Sequence, residues 1–207
     1  MTISHVLVSA GATWQADMVR SLHCVLRDET MAVHERMHGH DGFRAVNNGT
    51  IDREAYCQLL CRLYGFYRAF ERQTGLGPER SRWLSADLSA VGIAPHLQHR
   101  IVECDFLPDL QTAHQRLGAF YVVAGSSLGG RQLARGLDHL FRSGDTRGRR
   151  FFSGHGAQTG AVWRAYLAKL AAVPADPDTQ TEIVDAAVNT FAVFERWASG
   201  WKDASRG

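Results

Sequence analysis

At 207 residues, 45% of them hydrophobic and 21% charged, the chain has the make-up of an ordinary globular protein and can bury a sizeable core without staples. A formal net charge of +2, with no basic stripe interleaved with aromatics, argues against nucleic acid as a partner. No run approaches the ~18 apolar residues of a membrane span.

The apolar start MTISHVLVSAGATWQ has no basic segment before it, so no signal peptide is expected. Cys24, Cys57, Cys61 and Cys104 form no CxxC pair, and free thiols suit a cytoplasmic chain. Glycine and proline then punctuate a series of helices, with almost no alternating pattern. The first helix is predicted over 15–38, with Met18, Leu22, Val25, Leu26 and Val33 as its apolar side. It should stop at Gly39 as a left-handed cap, before the polar Asn47-Asn48-Gly49.

Thr50 is the expected N-cap of the next helix, with Asp52 and Glu54 near its positive end. That helix carries Tyr56, Leu59, Leu60, Leu63, Phe66, Tyr67 and Phe70. It is apolar around most of its circumference and should run through the core until Gly75 and Gly77-Pro78 end it. A short helix over 81–91 closes at Gly92, and another starts at Pro95. Pro108 opens a long segment reaching Arg142 that holds Gly118, Gly125, Gly129, Gly130 and Gly136. Helices over 158–171 and 178–199 complete the chain. The expectation is all-α: a single domain over 1–207, a bundle of about seven to eight helices, flexible at 1–14 and 202–207.

Two features rise above a generic bundle. The first is Gly125-Ser126-Ser127-Leu128-Gly129-Gly130. Each interior glycine weakens a helix by about 1 kcal/mol relative to alanine, so the cluster implies a compensating use. One use is close approach of backbone to a flat ligand; the other is tight helix packing or a loop. The second feature is His34 in Leu26-Arg27-Asp28-Glu29-Thr30-Met31-Ala32-Val33-His34. His34-Glu35-Arg36-Met37-His38 also fits HExxH, the zinc-hydrolase pattern. Asp41 and Arg44 stand where the longer form of that motif needs Gly and His, and Gly39 puts His38 at a fraying helix end.

Taken in order, LRDETMAVHERM, YCQLLCRLYGFYRAFE, FYVVAGSSLGGRQLA and FFSGHGAQTGAVWRAY resemble the heme oxygenase family, specifically its shorter bacterial members, over about residues 20–195. The resemblance implies heme held between a proximal and a glycine-rich distal helix. His34 would be the axial iron ligand, a neutral imidazole that leaves the opposite position free for O2. Gly125, Gly129 and Gly130 would bring the distal backbone close to heme. Arg27 and Arg164 match residues that pair with heme propionates, Lys169 lies near a third such position, and Phe120 matches an aromatic at the heme edge.

Ser126 departs from the family pattern: many members carry an aspartate there that orders proton-delivering waters, and a hydroxyl supplies no fixed negative charge. The implied reaction takes heme as both substrate and cofactor. With O2 and electrons from a reductase, ferredoxin or similar donor, it yields biliverdin, carbon monoxide and ferrous iron. The bilin would serve a photoreceptor, or the iron its acquisition. Arg147, Arg149 and Arg150 are either a lure for an acidic redox partner or a solvated loop. Two other readings stand beside this one: a heme-binding or heme-sensing protein without turnover, which Ser126 keeps open, and an HExxH zinc hydrolase.

Overall fold

A computed structural model describes residues 21–142 and 145–202, so the predicted start of the first helix at 15–20 and the tails at 1–14 and 203–207 lie outside the described residues. Within them are eight α-helices, short 3₁₀ turns and no strand. The all-α expectation holds.

Helix α1 spans Leu22–Gly39 and is capped by Ser21, whose hydroxyl accepts the Cys24 N–H. Gly39 is not a left-handed cap as expected from the sequence. The following residue, His40, is extended (φ −62°), and its ring nitrogen accepts the Gly42 N–H at 3.2 Å. That unusual cap starts an extra helix, α2 (Asp41–Asn47). Helix α3 (Arg53–Thr74) is capped by Asp52, whose carboxylate accepts the Ala55 N–H at 2.8 Å. Thr50, predicted for that role, turns its hydroxyl back to the Ala45 carbonyl instead. Left-handed Gly75 ends α3, and Gly92 (φ 114°) ends α4 (Glu79–Val91), both as predicted.

The turn at Pro95 is a 3₁₀ stretch, Pro95–Arg100. Helix α5 (Ala113–Gly136) begins later than Pro108 because a capping box of Thr112 and Gln115 opens it. It runs unbroken through its glycines, and a 3₁₀ turn at Asp138–Leu140 replaces the predicted helical tail. A four-residue helix that the sequence pattern does not announce, α6 (Arg150–Ser153), precedes α7 (Thr159–Ala171) and α8 (Pro177–Ser199).

Helix α3 is the core element. Tyr56, Leu59, Leu60, Leu63, Phe66, Tyr67 and Phe70 are all buried. A second cluster joins Leu22 and Leu26 of α1, Val122 of α5, Tyr166 and Leu170 of α7, and Ile183 of α8. Helix α8 packs along α5 most extensively and also along α1, so it links the two helices singled out in the sequence. All four cysteines are free. Among the described residues, no helix is long and apolar enough to cross a membrane.

Candidate functional site

At 3.6 residues per turn, Gly118, Gly125, Gly129 and Gly136 fall on nearly one line along α5, a stripe of about 27 Å. Its ends are closed by backbone. A Cβ on Gly118 would run into the Ile183 carbonyl of α8, and one on Gly136 into the Val46 carbonyl of α2. Its middle is uncovered. A Cβ on Gly129 would meet nothing within 4 Å, and one on Gly125 would only touch the Trp163 ring at 4.0 Å. Gly130 points elsewhere: it is buried, and a Cβ there would collide with the Phe152 carbonyl of α6. So Gly118, Gly130 and Gly136 serve packing, whereas Gly125 and Gly129 leave an open cradle.

His34 lies on the exposed side of α1, where Arg27, Met31 and His38 form a stripe with it. Its ring meets His38 edge-on (centroids 4.6 Å apart) and Phe191 of α8 at 6.3 Å. Partial burial, reinforced by His38 and opposed by Glu35, holds its pKa below the ordinary histidine value. The imidazole is therefore neutral near pH 7, with a lone pair to donate. Among the described residues no set of three His, Cys, Asp or Glu side chains could hold a metal ion, so none of them offers the HExxH pair the third ligand of a zinc hydrolase.

Ser126 projects from the same open part of α5 and is exposed. Its hydroxyl donates to the Val123 carbonyl at 2.9 Å and lies 3.4 Å from the Tyr67 phenol of α3. With the serine proton directed to Val123, Tyr67 is the donor of that second bond. Burial raises the Tyr67 pKa, against the opposing pull of Arg80 and the Ser126 bond, so the phenol keeps its proton. Arg80, itself buried, donates to the same Val123 carbonyl at 3.3 Å. Phe194 of α8 stands 6.5 Å from Tyr67, one turn from Phe191. Sequence reasoning missed both Tyr67 and Arg80. Nothing in the sequence set Tyr67 apart from Tyr56 and Tyr64, which are buried on the same helix.

The remaining predicted residues do not converge in this structure. Arg27 is exposed and pairs with adjacent Asp28 at 3.1 Å. Arg164 and Lys169 are exposed on α7 and differ by about 140° around its axis. Phe120 packs on Tyr166 (5.5 Å) and lies under the Arg80 guanidinium. In the basic loop, Arg147 pairs with Asp145. Arg149 binds Asp138 and the Asp145 carbonyl, and Arg150 turns to the Gly154 carbonyl and the Trp83 ring. That cluster braces its own loop. Two surface hollows, of about 370 and 430 Å³, lie around α2, and neither is lined by any predicted site residue. The candidate site is an open helix face.

The all-helical frame that carries the half-open glycine stripe and His34 is the heme oxygenase fold. The chain superposes on heme oxygenase-1 of the cyanobacterium Synechocystis in complex with heme (TM-score 0.70, 19% identity), covering 89% of this chain and 93% of that one. Heme oxygenase-2 of Synechocystis in complex with heme and NO gives 0.71 at 18% identity (89% and 86%), and the enzyme of Leptospira interrogans 0.69 at 16% (87% and 99%). No curated sequence matches the chain. The heme oxygenase family model matches residues 20–199, and the chain belongs to the heme oxygenase family.

Proposed function

We propose that this heme oxygenase holds heme against the open middle of the α5 stripe, with His34 as the iron ligand from the α1 side, and opens the ring to biliverdin. The observation that carries this reading is the contrast within one helix. Gly125 and Gly129 weaken α5 without admitting any neighbouring backbone, which leaves a flat ligand as their use. Neutral His34 suits the opposite side. Heme supplies the redox iron and is itself the substrate; O2 and an external electron donor complete the reaction.

The chain's own part is binding, orientation and proton supply. Gly125 and Gly129 let a macrocycle lie against backbone, which excludes water from that side. Gly130 supports this cradle from behind by admitting Phe152. Arg27, Arg164 and Lys169 are free enough at the surface to meet propionates, Arg27 by exchanging Asp28 for the ligand. Phe120 sets the α5–α7 spacing through Tyr166. Ser126 stands where the family pattern places an aspartate: with its hydroxyl turned from Val123 toward the site it would hold a water through which protons from solvent reach the site, while the Tyr67 phenol, which keeps its own proton, donates to the serine oxygen and fixes it.

Reconstitution with heme tests the reading. Wild type should bind one equivalent, and ascorbate or a reductase should convert it to a green bilin. His34→Ala should lose the five-coordinate spectrum and turnover together. An unchanged Soret band with normal bilin formation in that variant would exclude His34 as the ligand.

A further inference from the structure

Asp87 of α4 is wholly buried, and neither the binding of heme nor the Ser126–Tyr67 pair uses it. Its carboxylate accepts two backbone N–H groups at the start of α6, Arg150 at 2.7 Å and Phe151 at 2.8 Å. The Arg150 side chain turns away to Trp83 and the Gly154 carbonyl, so the carboxylate's contact with α6 is through main chain. Helix α6 has too few residues to be stable alone, since helix nucleation is unfavourable. What it touches is the distal side of the site. The Phe151 ring meets the Tyr67 ring edge-on at 5.0 Å, and the Phe152 carbonyl occupies the space that Gly130 leaves.

We propose that Asp87 is a positioning residue for the distal side: by fixing α6 it sets the Tyr67–Ser126 pair and the line of α5 at Gly130. The catalytic half of this inference rests on the heme-opening reading above; the mechanical half does not. Through α6, Asp87 reaches the site by one contact on a ring and one on a backbone carbonyl. A carboxylate that merely capped a surface turn would not need to be buried, and among the described residues no other side chain bonds those two N–H groups.

Hydrogen exchange on the heme-free protein, read by mass spectrometry, tests the mechanical half with Asp87→Asn and Phe151→Ala. Asp87→Asn, which keeps one acceptor, should speed exchange several-fold in 150–153 and also in 125–130. Phe151→Ala leaves the carboxylate bonds in place, so it should loosen 125–130 while the amides at 150 and 151 stay protected. The heme-loaded Asp87→Asn enzyme should lose turnover several-fold, and by more than it loses heme affinity. Faster exchange confined to 149–154 in Asp87→Asn, with 125–130 unchanged in both variants, would overturn the proposal even if the enzyme opens heme. Coupled exchange in a protein that never opens heme would instead overturn only the function.

Discussion

Within one helix, α5 shows two kinds of glycine. At Gly118, Gly130 and Gly136 the missing side chain is replaced by a neighbour's backbone, from α8, α6 and α2 respectively. At Gly125 and Gly129 no neighbouring backbone replaces it. At the interior positions the local sequence cost is alike, about 1 kcal/mol each relative to alanine, so what differs is where the compensation arises. At the packed positions it comes from close helix contact within the folded chain. At the open positions the folded chain supplies no such contact, and a bound ligand is the compensation proposed above.

The sharpest way to break this comparison is to add a methyl group at the packed positions. Gly118→Ala and Gly136→Ala should each destabilise the protein by roughly 3 kcal/mol or more, because the new Cβ meets rigid backbone that cannot step aside. Urea denaturation would show the loss. Stability within a few tenths of a kcal/mol of wild type would mean that α8 and α2 yield easily, and the distinction between the two kinds would dissolve.

A second prediction probes the support behind Gly130. Burial pushes the Asp87 carboxyl up to about 6, against the opposing pull of the Phe151 and Arg150 amides and the Arg150 charge. Because the folded-state pKa is raised, the folded chain binds the proton more tightly than the unfolded one. The stabilisation is complete below about pH 4 and is lost as pH rises through about 6, a change on the order of 2–3 kcal/mol. Lowered values at His34 and Asp145 act in the other direction, so the measurement is a difference. Wild type should lose stability relative to Asp87→Asn between about pH 4 and pH 6 and run parallel to it above pH 7. Parallel curves over that window would show that Asp87 does not titrate there.

Much of the frame was legible because long helices leave strong periodic signals. Helix α3 announced itself by an apolar circumference, and Gly75 and Gly92 ended their helices as left-handed caps. What escaped was set by contacts distant in sequence or by unusual caps. Helix α6 is held by a carboxylate 63 residues away, and α2 starts from a histidine nitrogen. At the candidate site, the glycine cluster stood out by its spacing and His34 through the family resemblance, whereas Tyr67 hid among buried core residues. Which glycines are open could not be read at all. Gly118, Gly125, Gly129 and Gly136 share one helical line, and only the paths of α8 and α2 decide which of them are covered.

The smallest expected effect on stability is the most telling for function. Gly129→Ala adds a methyl group that meets nothing within 4 Å, at a helical position where alanine is the better residue. The variant should be as stable as wild type or more so, by up to about 1 kcal/mol. Its heme affinity and turnover should nonetheless fall, since the methyl stands where the macrocycle is proposed to lie. Urea denaturation of the heme-free variant and a heme titration of the same sample separate the two effects. A stable variant with undiminished heme binding would leave the open glycines without a use, and the cradle would have to be sought on another face of the bundle.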